Sequence, residues 1–202
     1  MRFTRTISTA LAALVVSGLL VAGALATSTK GTGNHSMGTR TTSAATAAEV
    51  RAALDKLFGE HAVLAMNATN AGVTGSKSFP AAANMLDMNS VGLSKAIASV
   101  YGAKAGQTFL NGKFMWRDHI KFFVDYTVAK SKKDMAGQNK AVANLKQYTV
   151  TFGDFLANAT GLPKLAVRND LLGHVLQLKS QLDKYATGNY AKAGNDYRAA
   201  YN

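Results

Sequence analysis

Residues 114–129, FMWRDHIKFFVDYTVA, show the pattern that decides the fold. Ring-bearing side chains recur three and four positions apart, at Trp116, His119, Phe123 and Tyr126. Side chains at this spacing share one face of an α-helix. The stretch therefore predicts a helix with one apolar, inward face, and it places a titratable ring on that face.

The same periodicity continues from Ala47 onward and is interrupted only at Pro80 and Pro163. No stretch shows the alternation of a half-buried strand. Glycine and proline signals divide this part into predicted helices at about 47–70, 80–101, 104–130, 135–159, 164–186 and 189–201. We therefore predict an all-α fold, an up-and-down bundle of five to six helices with a four-helix-bundle-like core.

Two segments resemble each other and suggest an internal repeat. AANMLDMNSVGLSKAIASVYG (82–102) precedes the helix with His119, and AVANLKQYTVTFGDFLANATG (141–161) precedes the helix with His174. Both segments end in glycine, and the helix with His61 resembles a third half-unit upstream. Repeated units are typical of helical arrays, although two unrelated amphipathic helices could share these features by chance.

The N-terminus has the layout of an export signal. Arg2 and Arg5 precede an apolar run at 10–21, and a small-x-small cleavage pattern follows. We predict that residues 1–26 are a cleaved signal peptide and that the protein is secreted or extracytoplasmic. An uncleaved N-terminal signal anchor is the alternative.

The next segment, residues 27–46, is rich in Ser, Thr and Gly and has no hydrophobic period. This composition is typical of a flexible linker. His35 lies in it and is expected to be solvated. The helical bundle domain is then predicted to span residues 47–202.

The chain carries 23 Lys and Arg against 11 Asp and Glu, a net charge of +12, and it has no cysteine. Such a charge favours contact with anionic cell-wall polymers or a membrane surface. The lysines are dispersed and lack interleaved aromatic residues, so we expect no specific nucleic acid as a partner. The absence of cysteine excludes disulfides and thiolate metal sites.

Three histidines, His61, His119 and His174, each lie on an apolar stripe of a different predicted helix. Neutral imidazole binds zinc, copper, iron or nickel, so one interpretation is a shared transition-metal site, with zinc or copper as candidates. Glu60 and Asp118 directly precede two of these histidines and could orient a histidine on another helix. Two alternatives stay open: buried histidines that only pack, and protonation that loosens the bundle in acid.

Four methionines, at positions 66, 85, 88 and 115, also fall at helical spacing. Methionine at this spacing usually fills a core. A soft copper site formed by Met85 and Met88 is the alternative interpretation.

No sequence feature supports catalysis. The chain lacks cysteine, the G-x-S-x-G motif and the H-E-x-x-H motif. We therefore expect a non-enzymatic protein, with a structural or adhesive role in the cell envelope as the alternative to metal binding.

Four stretches together resemble a family of exported all-helical bacterial proteins, often labelled as accompanying a copper amine oxidase-type domain and of unassigned activity. The stretches are LFGEHAVLA (57–65), FMWRDHIKFFVDYTVA (114–129), LLGHVLQL (171–178) and YATGNYAKAGNDYRAAYN (185–202). The resemblance implies a recurring histidine at the positions of His61, His119 and His174. It also implies a further His-Met pair after the last stretch, where this chain ends at Asn202. We therefore expect a domain truncated at its C-terminus.

Overall fold

The computed structural model describes residues 47–201, and this part of the chain is an all-α helical bundle. The helices are α1 (Ala47–Val73), α2 (Phe79–Tyr101), α3 (Ala103–Asn111), α4 (Trp116–Ser131), α5 (Met135–Thr160), α6 (Lys164–Ala186) and α7 (Tyr190–Tyr201). The predicted fold class is confirmed, and no strand occurs between residues 47 and 201. The predicted signal peptide, the linker and His35 lie outside the described residues.

Four helices, α1, α4, α5 and α6, form a closed ring of contacts, in which α1 packs on α4 and α6, and α5 packs on the same two helices. Helix α2, followed by α3, packs against α1, and α7 packs mainly against α6. Short connections make consecutive long helices antiparallel, so α1, α4 and α6 run in one direction. The histidine-bearing helices are these three parallel members of the ring.

The predicted helix at 104–130 is wrong in one respect, because the structure divides it into α3 and α4. Gly112 is extended, and Phe114 adopts a left-handed φ of 55°. A carboxylate oxygen of Asp118 accepts a hydrogen bond from the Phe114 backbone N–H at 2.6 Å and stabilises this turn. Helix α4 therefore begins at Trp116, which points its ring into the bundle.

The main core lies among α1, α2, α3, α4, α5 and α6. Its most deeply buried members are Leu93, Phe109, Leu145, Phe152 and Val167. Burial of such side chains contributes about 1.5–3 kcal/mol each to the free energy of unfolding. Packing in this core thus fixes the relative positions of the helices that carry the histidines.

Both segments of the suggested repeat end at a glycine with positive φ. Gly102 and Gly161 follow α2 and α5 with φ angles of 85° and 74°, and each backbone N–H bonds back to a carbonyl of its helix. Glycine adopts positive φ without the cost that a Cβ imposes. Their ψ angles differ, however, at 161° for Gly102 and 8° for Gly161, so Gly102 leads directly into α3 whereas Gly161 forms a left-handed cap.

Among residues 47–201, no helix combines the length and the apolar character that crossing a bilayer requires.

Candidate functional site

The centre of the site is a pair of histidines on neighbouring parallel helices. His61 on α1 and His119 on α4 have ring centroids 5.6 Å apart. The Trp116 ring lies against both, with centroid distances of 4.8 Å to His61 and 4.6 Å to His119. The indole N–H of Trp116 donates to the hydroxyl of Ser90 on α2 at 3.2 Å, which fixes the orientation of the indole.

His119 is the deepest of the three histidines, with 8% of its surface exposed. Its ring stacks on Tyr148 of α5 at a centroid distance of 4.7 Å, and its Nδ1 atom is buried without a hydrogen-bond partner. Burial, followed by the proximity of His61, holds the pKa of His119 well below its usual value. The ring is therefore neutral at pH 7.

His61 is half-buried, and its Nδ1 atom is likewise buried without a partner. Burial, followed by repulsion from a charge on His174, lowers the pKa of His61 to about 4. Two neutral imidazoles thus face one another, each with an unpartnered ring nitrogen.

His174 differs from the other two because part of its surface is exposed to solvent. Its Nδ1 lies 3.0 Å from the carbonyl oxygen of Ala200 on α7. Surrounding protein still lowers the pKa of His174, and the Ala200 carbonyl opposes this effect. His174 as a whole residue is therefore exposed, while its ring lies against α7.

The three rings lie within electrostatic reach of one another, since a charge on His174 lowers the pKa of both His61 and His119. Between residues 47 and 201, however, no group of three or more His, Asp or Glu side chains is already arranged to hold a metal ion. The structure thus brings His61 and His119 together and places His174 nearby, without a preassembled set of ligands.

A buried amide, Asn89 of α2, belongs to the same region and was missed by sequence reasoning. Its Nδ2 donates to the Glu60 carboxylate at 2.8 Å and to the Leu57 carbonyl at 3.0 Å. Its Oδ1 is buried without a hydrogen-bond partner. The Asn89 side chain nevertheless lies close enough to His61 to oppose the lowering of the His61 pKa. An asparagine inside an otherwise apolar helix face was the available signal.

The acidic residues that precede two of the histidines bind other groups. Glu60 accepts from Asn89, and Asp118 accepts from the backbone of Phe114. In this structure, neither carboxylate hydrogen-bonds a histidine. The suggested orientation of a histidine on another helix is therefore not seen for Glu60 or Asp118.

A surface pocket of about 400 Å³ lies apart from the histidine pair, lined by Val63, Tyr197, Arg198 and Tyr201. Its lining includes none of the three histidines. The candidate site is consequently the buried histidine region and not this pocket.

Comparison with protein-family models, curated proteins and solved structures yields no match for this chain.

Proposed function

We propose that this protein is an exported, non-enzymatic helical bundle that binds one transition-metal ion between α1, α4 and α6 through His61, His119 and His174. The observation that carries this proposal is a concentration of unpartnered polar atoms. Four side-chain N or O atoms within residues 47–201 are buried without a hydrogen-bond partner, and three of them belong to His61, His119 and Asn89. Each such atom costs about 1–3 kcal/mol unless something binds it.

The hydrogen bond of His174 suits a metal ligand. A carbonyl oxygen only accepts, so the bond to Ala200 requires the proton on Nδ1 and leaves a lone pair on Nε2. Metal-binding histidines usually donate their other N–H to a carbonyl or carboxylate in this way. Ala200 would thus hold His174 in the tautomer that coordinates through Nε2.

The lowered pKa values support the same function. A metal binds the deprotonated imidazole, so a histidine must lose its proton before it can coordinate. The pKa values of His61, His119 and His174 all lie below the usual value, and at pH 7 the rings therefore carry no proton that a metal would have to displace. Zinc and copper are the candidate ions, because both accept neutral imidazole.

Because no ligand set is preassembled, binding has to turn at least one ring. His119 would leave its stack on Tyr148, and the packing around Trp116 would change with it. Trp116 is the only tryptophan in the chain. Its fluorescence therefore reports directly on the proposed site.

The test uses full-length protein purified without a chelator or an affinity tag. We expect metal analysis to find one zinc or copper ion per chain, and titration of the stripped protein to change Trp116 fluorescence and raise the melting temperature. His119→Gln and His61→Gln should each lower the affinity by about tenfold or more. His35→Gln is the matched control, since it removes the remaining histidine and should leave binding unchanged.

A second function, a structural or adhesive envelope protein, is favoured by the contacts that the histidines already make. His119 stacks on Tyr148, and His174 bonds to Ala200. An empty protein with no fluorescence change and no thermal shift on addition of zinc or copper would refute metal binding and leave this second function.

A further inference from the structure

Two methionines on α2 are exposed, against the expectation that methionine at helical spacing fills the core. Met85 and Met88 expose 54% and 65% of their surfaces, whereas Met115 exposes only 4%. Both thioether side chains therefore extend from the solvent-facing side of α2. Neither contributes to the packing that holds the bundle together.

The geometry allows both sulfur atoms to reach one ion. Residues three apart on a helix have Cβ atoms about 5–6 Å from each other, and each methionine has three rotatable bonds with which to adjust. The carboxylate between them, Asp87, is held by Arg117 through bonds of 2.7 and 2.9 Å. Because both oxygens of Asp87 bind Arg117, this carboxylate is not expected to bind an ion at the two methionines.

Thioether sulfur is a soft, uncharged ligand that selects Cu(I) over zinc, magnesium or calcium. From the exposure, the spacing and this chemistry, we propose that Met85 and Met88 form an exterior binding site for Cu(I). The Sδ atom of Met88 lies 4.0 Å from Asn84 Nδ2. This contact is weak enough for the thioether to leave it for a metal ion.

The position of the pair connects it to the buried histidines. Asn89 directly follows Met88, about 100° further around α2, and is buried, where it bonds to Glu60 and interacts with His61. Met85 and Met88 are thus the exposed residues of the same helical turn in which the buried Asn89 faces the histidine region. A role in delivering copper to the histidines rests on the proposed function, but binding at the methionines does not.

The experiment uses Ag(I), a redox-inert analogue of Cu(I), in chloride-free buffer with full-length protein carrying ¹³C-labelled methionine methyl groups. We expect the methyl signals of Met85 and Met88 to shift together and to saturate at one ion per chain. Met85→Leu and Met88→Leu should each lower the affinity by about tenfold or more, because one of two ligands is lost. Leucine has a similar helix propensity, so the fold should be retained.

Met135→Leu is the matched control. Met135 is 64% exposed at the start of α5, and its sulfur receives a contact from Gln138 at 3.7 Å. The proposal is overturned if Met85 and Met88 do not shift, or if Met135 shifts at the same Ag(I) concentration.

His119→Gln separates this proposal from the histidine site. The variant should leave the Ag(I)-induced methionine shifts unchanged and lower the affinity with which zinc or copper changes Trp116 fluorescence. Methionine shifts with Ag(I) in a protein whose Trp116 fluorescence does not respond to zinc or copper would refute the proposed function alone. A histidine response without methionine shifts would refute the exterior site alone.

Discussion

Burial decides how the histidine residues respond to acid. In the unfolded chain histidine has its usual pKa of about 6.5, whereas burial lowers the pKa of His61 in the folded protein to about 4. Between these values the unfolded state binds a proton that the folded state excludes, so the free energy of unfolding decreases as the pH falls from about 6.5 to about 4. The difference for His61 corresponds to about 3 kcal/mol, and the lowered pKa of His119 acts in the same direction.

Urea unfolding of the metal-free protein at pH values from about 7 to about 4.5 measures this effect. We expect His61→Gln to make stability less dependent on pH over this range, whereas His35→Gln should match the unmodified protein. Carboxylates such as Asp183 have a lowered pKa and lose their contribution only at lower pH. Stability that stays constant across this interval would contradict the buried, neutral state of the rings.

Packing at Leu145 provides a second test at the scale of one residue. Leu145 is 1% exposed in the core, whereas Leu165 on α6 is 69% exposed. Leu145→Ala should lower the free energy of unfolding by about 2–5 kcal/mol, because the removed atoms leave a cavity. Leu165→Ala should change it by no more than about 0.5 kcal/mol. Equal effects in denaturant unfolding would show that Leu145 is not part of the core.

The sequence was sufficient to predict the burial of His119 but not the exposure of His174. His119 lies among Trp116, Phe123 and Tyr126, all of which are buried. On α6 the buried stripe passes through Leu171 and Val175, and His174 lies at its border. At a border, exposure depends on the neighbouring helix, and helical periodicity carries no information about that helix.

Close contact between two elements, α2 and α3, depends on a glycine. A Cβ built at Gly106 would lie 2.7 Å from the carbonyl oxygen of Ser94 and 2.8 Å from the Cβ of Ala98. The Ser94 hydroxyl also donates to the Gly106 carbonyl at 2.8 Å, so the two backbones cannot easily separate. The pairing of α2 with α3 is therefore limited by side-chain size at this position.

We expect Gly106→Ala to lower the free energy of unfolding by about 1–3 kcal/mol through overpacking. Gly194→Ala on α7 is the control, because its Cβ would meet no atom within 4 Å. That change should stabilise the protein by about 0.5–1 kcal/mol, since alanine is the better helix former. Thermal unfolding compares the two variants, and stabilisation by both would rule out the close approach.

Most helix boundaries follow from glycine and proline signals, but the break between α3 and α4 does not. Asn111 and Gly112 are compatible with a helix end, yet the apolar period continues across them at Phe109 and Trp116. The break is stabilised by the left-handed Phe114 and its bond to Asp118. A phenylalanine is rarely found at positive φ, and the pattern therefore predicted one continuous helix.

For the whole molecule, surface charge is the property from which we predict binding to anionic surfaces. Asp87, Asp154 and Asp183 each form an ion pair with a basic residue on another helix. Asp183 also pairs with Lys179 on its own helix. Many lysines between residues 47 and 201 form no ion pair: Lys56, Lys77, Lys95, Lys104, Lys113, Lys132, Lys133, Lys140, Lys146, Lys164 and Lys192. The excess positive charge is thus spread over the surface.

We expect the protein to bind vesicles that contain anionic lipid and to dissociate as salt rises, because the Debye length falls to about 10 Å at 0.1 M. Co-sedimentation with anionic and with purely zwitterionic vesicles measures this. Replacing Lys132 and Lys133 by Gln should weaken binding only slightly, since the charge is dispersed. Binding that is insensitive to salt, or lost with these two lysines, would argue for a specific contact instead.

The placement of the histidines on α1, α4 and α6 has a consequence for the newly made chain. Ribosomes deliver the N-terminal helices first, so His61 and His119 are available before α6 exists. Ala200, which orients His174, is among the last described residues to be synthesised. A nascent chain therefore cannot bring the three histidines and Ala200 together until α7 has been synthesised.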